Sequence, residues 1–527
     1  MLVASWCYSV FKDKSSWVNP VYYSTMALVI IEDKVMKLKQ RESLLLETSS
    51  PKIDYDVAIV GAGPVGLATA LGLRQRGIEN IIVLDQTKAF RKVGQVIDLL
   101  PNGLKALKYI DAKAYENIKA IVNQPNNSPQ VSQKTETEKK QASPEWHVRN
   151  VDGQKIRSIP LGYDEFFQKY GEGRVSISWY ELQTQLRQLL PVERVKANHH
   201  CFNVVNEPEF HCVRADFVSN QKVETNSYAH WDDQQEKNES SSVNASQFPE
   251  SEITSIRAKL LLGMDGINSR VRQVIYKNTP DSRCSKPEYS GVSAIGSGGM
   301  LQVAEALSKE IKERFLHGSS RIVTIRNNQI PDGDVPRVIL FSPQPCQLGY
   351  SLHGAFPLEL LLEKSAEELI DIAVEELKKA DFPEIIQQLV ALSDPEQMIQ
   401  RPYYIHHATA SAPDQPKWNI GRVVLGGDAA HGMPPFIAQG GNQGLEDAAA
   451  IATLVAEINK QNQWDDITAI EAAFSKYEAL RRPFVTYIQQ ETLIARYFSS
   501  VQASQKLQEY NQAVFSRNIE EVMQTLF

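Results

Sequence analysis

The chain has 527 residues, 42% of them hydrophobic and 23% charged, which suffices to bury the cores of two or more domains. Its formal net charge of −7 argues against a nucleic-acid partner, because no run of lysine and arginine offsets it. Five scattered cysteines without a C-x-x-C pair argue against a disulfide framework and favour a cytoplasmic location, and we expect no integral membrane segment.

The first predicted elements form a βαβ unit. The apolar run Tyr55–Val60 predicts a buried strand, 64–76 predicts a helix that begins with proline, and 80–84 predicts a second strand. This alternation predicts an α/β fold with a doubly wound, Rossmann-like sheet.

The loop between the first strand and its helix, GAGPVG, matches a dinucleotide fingerprint. Gly61 allows the tight turn, Gly63 lets the backbone approach a pyrophosphate, and Gly66 allows close packing of helix on strand. Asp85 ends the second strand, where its carboxylate is placed to accept hydrogen bonds from a ribose. The fingerprint predicts dinucleotide binding without separating FAD from NAD(P).

Two later motifs also follow predicted strands. The segment GMDG, which contains Asp265, follows a strand at 259–262, and the segment GDAAH, which contains Asp428, follows a strand at 422–425. Each alone is compatible with an aspartate that caps the next helix. In this order after the glycine fingerprint, the two motifs are specific for flavin binding.

With these three motifs the chain resembles the FAD-dependent monooxygenases of the para-hydroxybenzoate hydroxylase fold, a group that includes salicylate hydroxylase-like and zeaxanthin epoxidase-like enzymes. The resemblance spans about residues 54–489. It implies that NAD(P)H is the transient electron donor. It also implies that one oxygen atom of O2 enters a small aromatic or conjugated organic substrate through a flavin C4a-hydroperoxide.

The resemblance also implies roles for single residues. Asp428 would contact the ribityl and pyrophosphate part of FAD, Asp265 would serve FAD and the nicotinamide, and Arg91 would lie near the adenosine or pyrophosphate. On direct physical grounds, the backbone N–H groups of Gly441 and Asn442, at the start of an alanine-rich helix, are placed to stabilise the negative charge of a reduced flavin.

One position departs from the family pattern. Where family members often carry an arginine that contacts FAD, before a Leu-Gln pair, this chain has Trp179 before Leu182 and Gln183. An indole supplies no guanidinium, so we expect this contact to be lost or replaced by stacking.

A change of pattern predicts a second, mainly antiparallel domain, with strands at 321–326, 337–342 and 349–356 separated by turn residues. Two polar stretches without apolar periodicity predict mobile insertions. The predicted organisation is an N-terminal extension at 1–53, a discontinuous FAD-binding domain at 54–285 and 417–460 with insertions at 122–144 and 219–255, a substrate domain at 286–416, and a C-terminal helical segment at 461–527.

The sequence identifies no catalytic residue, because oxygen transfer from a flavin requires a positioned substrate and a dry site rather than a fixed acid and base. Tyr350, Leu352 and Phe356 lie on one face of a predicted strand, where they either contact the substrate or form ordinary core. His431 has no carboxylate neighbour in the sequence, which favours a structural role.

No metal site is expected. His406 and His407 would point to opposite faces of a strand, which makes them poor joint ligands. Two functions other than oxygen insertion stay open: an FAD-dependent reductase of the same fold, similar to geranylgeranyl reductases, and a flavin-binding protein without turnover. A halogenase of this fold is disfavoured because the chain lacks a Trp-x-Trp-x-Ile-Pro segment.

Overall fold

The computed structural model describes residues 51–87, 96–122, 145–219, 253–317, 322–330, 336–342, 344, 346–409, 416–494 and 501–527. From Ile53 onward these residues form one compact unit. Arg91, nearly all of the predicted N-terminal extension and most of both predicted insertions lie outside the described residues.

The described residues contain strands of two to eleven residues. The strands are β1 Tyr55–Val60, β2 Ile81–Leu84, β3 Val96–Leu99, β4 Glu145–Asn150, β5 Lys155–Pro160, β6 Val175–Ser178, β7 Val195–Lys196, β8 His200–Glu207, β9 Cys212–Val218, β10 Ile253–Gly263, β11 Glu288–Ser297, β12 Leu301–Gln302, β13 Ile322–Arg326, β14 Arg337–Phe341, β15 Gln347–Gly354, β16 Met398–Ile405, β17 Asn419–Ile420 and β18 Val423–Leu425.

Helices alternate with these strands and then dominate the C-terminal part. The helices are α1 Pro64–Gln75, α2 Pro101–Ile110, α3 Ala112–Val122, α4 Tyr163–Tyr170, α5 Trp179–Arg187, α6 Arg270–Tyr276, α7 Glu305–Ile311, α8 Leu358–Glu363, α9 Ala366–Lys379, α10 Glu384–Ala391, α11 Asp428–His431, α12 Gly440–Lys460, α13 Ile467–Ile494, α14 Val501–Phe515 and α15 Ile519–Gln524. Within the described ranges, no helix is both long and apolar enough to cross a membrane.

The first sheet has parallel strands at its centre. Its order is β17-β18-β10-β1-β2-β7, and β10 also pairs antiparallel with β9, which pairs with β8. The apolar runs of β1, β2 and β18 are buried, and they share one hydrophobic core with α1 and α12. This arrangement confirms the predicted α/β fold class, because both faces of a parallel sheet must be covered.

The second sheet has the order β16-β11-β15-β14-β13-β4-β5, and every pair except β13 with β4 is antiparallel. One of its faces packs on α7, α9 and α10 in a separate hydrophobic core. The predicted mainly antiparallel sheet and the C-terminal helices are therefore both present.

Two details of the sequence interpretation change. β4 and β5 belong to the second sheet, although their residues precede the predicted substrate domain, because β4 pairs with β13 about halfway along the chain. The second predicted insertion ends earlier than expected: Ile253–Ser255 already belong to β10, where they pair with residues 216–218 of β9. The division into domains stays a prediction.

Candidate functional site

The three sequence motifs meet at one edge of the first sheet. The glycine loop follows β1 at Gly61, Asp265 follows β10, and Asp428 follows β18, and these three strands are adjacent and parallel. The Met264 N–H donates to the Val60 carbonyl at 2.8 Å, which ties the second motif to the first strand. The carboxyl edge of a parallel sheet is the usual ligand position in this architecture.

The glycines of the first loop meet different surroundings. Gly61 has φ +108°, and a Cβ there would lie 2.3 Å from the Met264 carbonyl oxygen. A Cβ at Gly66 would lie 2.0 Å from the Gly61 carbonyl oxygen, so both positions exclude a side chain. At Gly63 the nearest atom, in the Trp179 ring, would be 3.8 Å away. The backbone at Gly63 is therefore open to a ligand.

Asp85 joins the glycine loop to the end of β2. Its carboxylate accepts the Ala62 N–H at 2.7 Å and the Thr87 N–H at 2.8 Å. The same carboxylate lines an open groove at this edge, with about 610 Å³ of empty space that includes open solvent. The described residues of this groove are Val60, Gly61, Gly63, Asp85, Gln86, Thr87, Trp179, His199, Cys201, Met264, Asp265, Gly266, Asn268 and Arg270.

Asp265 caps helix α6 from within the groove. Its carboxylate accepts hydrogen bonds from the Ser269 hydroxyl at 2.5 Å, the Arg270 N–H at 2.6 Å and the Val271 N–H at 3.1 Å. Burial raises the pKa of this carboxyl, and these three bonds oppose the rise. The predicted contacts with FAD and nicotinamide stay predictions, and the structure adds this capping role.

Asp428 differs from Asp265 because no hydrogen bond to its carboxylate occurs among the described residues. Its Oδ1 lies 3.5 Å from the position that a Cβ on Gly440 would take, so it faces the first turn of α12. Burial raises the pKa of Asp428, and the His431 imidazole opposes that rise. Asp428 is half-buried; a desolvated carboxylate is costly without donors, and ribityl hydroxyls would supply them.

The start of α12 offers backbone donors. Its first helical hydrogen bond runs from the Gln443 N–H to the Gln439 carbonyl at 2.8 Å, so the N–H groups of Gly441 and Asn442 precede the intrahelical series. A Cβ at Gly441 would meet open space. These donors and the positive end of the helix dipole suit a negatively charged ligand.

The Asn442 side chain has a separate role. Its Oδ1 accepts the Leu100 N–H at 2.9 Å, and its Nδ2 donates to the Asp98 carbonyl at 2.9 Å and the Ala438 carbonyl at 2.6 Å. The side chain therefore fixes the β3–α2 connection against α12. Only its backbone is left for the predicted contact with flavin.

Trp179 and Gln183 flank the groove on α5. The Gln183 side-chain amide donates to the Ala62 carbonyl at 2.8 Å. Gln183 therefore holds the glycine loop at the same residue whose N–H is bound by Asp85. The Trp179 indole lies beside Gly63, where the family pattern has an arginine. The Leu-Gln pattern in the sequence marked this helix, but it did not indicate what Gln183 binds.

A buried ionic network lies beneath the third motif. His431 Nε2 is 2.5 Å from Asp447 Oδ2, and Arg481 Nε donates to the other oxygen of Asp447 at 2.8 Å. Arg481 and Arg517 both donate to Glu446 Oε2, at 2.7 and 2.6 Å. Burial raises the pKa of Asp447, but His431 and Arg481 outweigh it and lower the pKa to about 2. His431 thus has a carboxylate partner, which the sequence did not indicate because α12 brings it back from sixteen residues downstream.

Of the two roles left open for Tyr350 and Leu352 on β15 and for Phe356 just after it, the structure supports the core role. Tyr350, Leu352 and Phe356 are buried in the second hydrophobic core, and the Tyr350 hydroxyl pairs with the Ser393 hydroxyl at 2.8 Å. Because side chains alternate along a strand, the other face of β15 presents the remaining residues, including His353, to the first sheet's motif loops.

That other face carries a cluster of rings and arginines, which we call the wall cluster: His353, Tyr403, Phe436, Arg337 and Arg401. His353 and Tyr403 stack at 5.9 Å, and Phe436, from the loop after the third motif, packs edge-on to Tyr403 at 5.4 Å. The Arg337 guanidinium lies 4.7 Å from the Phe436 ring centre. Burial, then Arg337 and Arg401, hold the pKa of His353 well below its usual range.

His406 and His407 follow β16 instead of lying within it, since the strand ends at Ile405. The buried His406 pairs through Nε2 with the Ile267 carbonyl at 2.9 Å, while His407 is exposed. Burial, more than any neighbouring charge, lowers the pKa of His406 to about 3. Across the described ranges, no group of three or more His, Cys, Asp or Glu is placed to hold a metal ion.

These features fit FAD in particular. The groove is open at Gly63 for a pyrophosphate, the Asp428 carboxylate accepts no hydrogen bond from the described residues, and a Cβ at Gly441 would meet open space. Consistent with this fit, residues 54–94 and 368–492 match the family described as FAD binding domain.

Similar proteins have been characterised. The chain is 25% identical over 435 residues to a 3-amino-4-hydroxybenzoate 2-monooxygenase of Streptomyces cremeus, which covers 82% of this chain and 84% of that protein. It is 24% identical over 451 residues to a 6-hydroxynicotinate 3-monooxygenase of Pseudomonas fluorescens. That alignment covers 84% of this chain and 90% of that protein. A salicylate hydroxylase in complex with its substrate superposes with a TM-score of 0.59 at 17% identity, covering 91% of this chain and 98% of that one.

The fold, the groove and the two matched segments together define an FAD-binding flavoprotein. Its architecture is of the para-hydroxybenzoate hydroxylase type, as the motifs predicted. Together with the relatives, they identify the protein as an FAD-dependent monooxygenase, with NAD(P)H as the electron donor that is typical of such enzymes.

Proposed function

We propose that the protein hydroxylates an electron-rich aromatic ring that carries a negative charge, and that the ring binds between FAD and the wall cluster. The observation that carries this proposal is the wall cluster itself, in which the buried His353 and half-buried rings and arginines gather at one face of the second sheet. Bound FAD supplies the reductive activation of O2.

The rings of the cluster suit a flat substrate. Tyr403 and His353 present stacked faces at the sheet, and Phe436 adds a perpendicular edge from the loop that follows the third motif. Aromatic substrates pack against such surfaces with offset or edge-to-face geometry. The same surfaces exclude water, which protects a reactive oxygen species from hydrolysis.

The arginines favour an anionic substrate. Arg337 lies opposite His353 in the β14–β15 register, and Arg401 lies on β16 next to the same row. Besides burial, Arg337 and Arg401 both lower the pKa of the His353 imidazole, so two cations lie near this ring. A guanidinium binds a carboxylate through paired hydrogen bonds, so these two residues would set the orientation of an aromatic acid.

His353 would hold the hydroxyl proton of the substrate. Its Nε2 pairs with the Ser351 hydroxyl at 3.0 Å, while its Nδ1 is buried without a hydrogen-bond partner. Its low pKa keeps the ring neutral, so one nitrogen retains a lone pair. A phenolic hydroxyl bound at Nδ1 would become more electron-donating, which favours attack on oxygen at the ring.

The relatives support this substrate class. Two of them are named for a hydroxybenzoate and a hydroxynicotinate, which are aromatic acids. The proposed stoichiometry is one NAD(P)H, one O2 and one proton consumed per hydroxylated product, with one oxygen atom leaving as water.

Oxygen uptake measured with matched acids and amides tests the proposal. With NADH or NADPH, 4-hydroxybenzoate and 6-hydroxynicotinate should stimulate O2 consumption and yield products heavier by one oxygen, whereas the amides should stimulate it less. If acids and amides stimulated O2 consumption equally, the proposed preference for anionic substrates would be wrong. Oxidation of NAD(P)H with reduction of an alkene in the substrate and no O2 uptake would instead favour the reductase alternative.

We also propose a cytoplasmic location for this enzyme. The four described cysteines, Cys201, Cys212, Cys284 and Cys346, are all free thiols. Burial raises the pKa of Cys201 and Cys212, so both are expected to be unreactive.

A further inference from the structure

The groove that would receive the FAD pyrophosphate has an unusual wall. Trp179 stands where the family pattern has an FAD-contacting arginine, and its ring is the nearest atom group to a Cβ placed on Gly63. The indole offers a flat apolar surface and no positive charge at neutral pH. The pyrophosphate carries two negative charges, so the substitution removes a favourable interaction at this point.

Arg270 lines the same groove. It is the sole lysine or arginine among the described residues of the groove, which also contains the carboxylates of Asp85 and Asp265. Arg270 follows the second motif and is the first residue of α6. The sequence motifs predicted no role for the Arg270 side chain.

The backbone of Arg270 is held in place by the second motif. Asp265 Oδ2 accepts the Arg270 N–H at 2.6 Å, and the Arg270 guanidinium donates to the neutral Gln273 side chain at 2.9 Å. The side chain is half-buried, and burial lowers its pKa while Asp265 opposes the change. An arginine stays charged under such conditions, and a desolvated guanidinium binds phosphate more strongly than an exposed one.

We propose that Arg270 binds the pyrophosphate of FAD in place of the arginine that Trp179 has replaced. The cation would thus stand at the N-terminus of α6 instead of the N-terminus of α5. Trp179 then packs along the ligand, and Arg270 supplies the charge-assisted hydrogen bonds.

Flavin fluorescence titration of the full-length apo-protein, with ADP and adenosine as competing probes, tests the assignment. Arg270→Gln should weaken FAD and ADP binding about tenfold or more, because a charge-assisted hydrogen bond to phosphate is lost, and should leave adenosine binding unchanged. The FAD affinity of the variant should also depend less on salt concentration. Arg283→Gln, at an exposed arginine beyond α6, is the matched control and should bind all three ligands as the wild type does.

A reciprocal exchange sharpens the test. Trp179→Arg in the Arg270→Gln background should recover part of the lost FAD affinity, because it restores a cation at the family position. FAD binding by Arg270→Gln within twofold of the wild type would overturn the assignment. Equal weakening of ADP and adenosine would overturn the contact with phosphate. If the folded double variant, Arg270→Gln with Trp179→Arg, bound FAD no more tightly than Arg270→Gln alone, Arg270 would not be a substitute for the family arginine.

Discussion

The edge of the first sheet where the three motifs meet, which we call the cofactor edge, differs in its chemical groups from the wall cluster of the second sheet. At the cofactor edge, backbone groups and short carboxylates line the groove, and glycines stand where a Cβ would lie 2.0 to 2.3 Å from a carbonyl oxygen. At the wall cluster, side chains from four separate segments make the contacts. Backbone geometry tolerates few substitutions, whereas a wall of side chains can change its chemistry without disturbing the fold.

This contrast assigns different consequences to mutations at the two places. Changes at the cofactor edge and beneath it should reduce stability or FAD affinity. Changes in the wall cluster should spare both and alter substrate use.

The largest effect is expected beneath the cofactor edge. Asp447→Asn removes the charge that pairs with His431 and Arg481, all three fully buried. Breaking a buried ion pair from one side costs about 3–5 kcal/mol of unfolding free energy. Urea denaturation of the apo-protein measures this loss. Asp466→Asn, at a partly exposed turn before α13, serves as control, and equal stability of the two variants would contradict the expectation.

The next largest effect is expected at the glycine loop. Gly66→Ala places a methyl group 2.0 Å from the Gly61 carbonyl oxygen, and overpacking of this kind costs roughly 1–3 kcal/mol. The loop must shift to accept it, so FAD occupancy should fall as well. Gly441→Ala is the matched substitution at an open position and should leave the thermal midpoint of the apo-protein nearly unchanged. Absorbance of the bound flavin and thermal melts measure both.

Asp428→Ala tests the third motif itself. If the carboxylate accepts ribityl hydroxyls, its loss should cost roughly 1–3 kcal/mol, or about ten- to a hundredfold in FAD affinity. The apo-protein should melt at nearly the wild-type temperature, since no described hydrogen bond is lost. Equal stabilisation of wild type and variant by added FAD would show that Asp428 does not contact the cofactor.

Arg337→Gln tests the wall cluster. It should raise the KM for an aromatic acid about tenfold, equivalent to ~1.4 kcal/mol, and leave FAD affinity and the KM for the corresponding amide unchanged. Steady-state O2 consumption supplies the KM values and flavin titration supplies the affinity. A variant that loses FAD would show that the wall cluster is not independent of the cofactor edge.

The smallest effect concerns pH. His406 has a folded pKa of about 3, below its ordinary value, so between neutral pH and about 3 the unfolded chain takes up a proton that the folded chain refuses. Stability present above about pH 6.5 is therefore lost as the pH falls, by ~1.4 kcal/mol at pH 5.5 from this one residue. His406→Gln should flatten the decline in unfolding free energy between pH 7.5 and 5.5. An unchanged slope would show that His406 is not kept neutral.

Local sequence patterns predicted the cofactor side well. The glycine fingerprint and both aspartate motifs are contiguous, and each follows an apolar run that fixes its strand, so their meeting at one sheet edge follows from parallel pairing. The wall cluster was missed because its members come from β14, β15, β16 and a loop after the third motif, and only strand register brings them together. On β15 the strand was predicted, and of the two roles left open for Tyr350, Leu352 and Phe356 the structure supports the core role.

The link between Arg517 and Glu446 has a consequence for biosynthesis. Arg517 lies 71 residues after Glu446 in the chain, and Lys105, on α2, also binds the carbonyl groups of Phe515 and Arg517. The central strand β10 likewise cannot pair with β18 until β18 is translated, about 160 residues later. The nucleotide-binding half therefore cannot close until these later segments have been synthesised, and pairing so distant in sequence is slow. We expect FAD to bind only after residues up to Arg517 have been made and have folded.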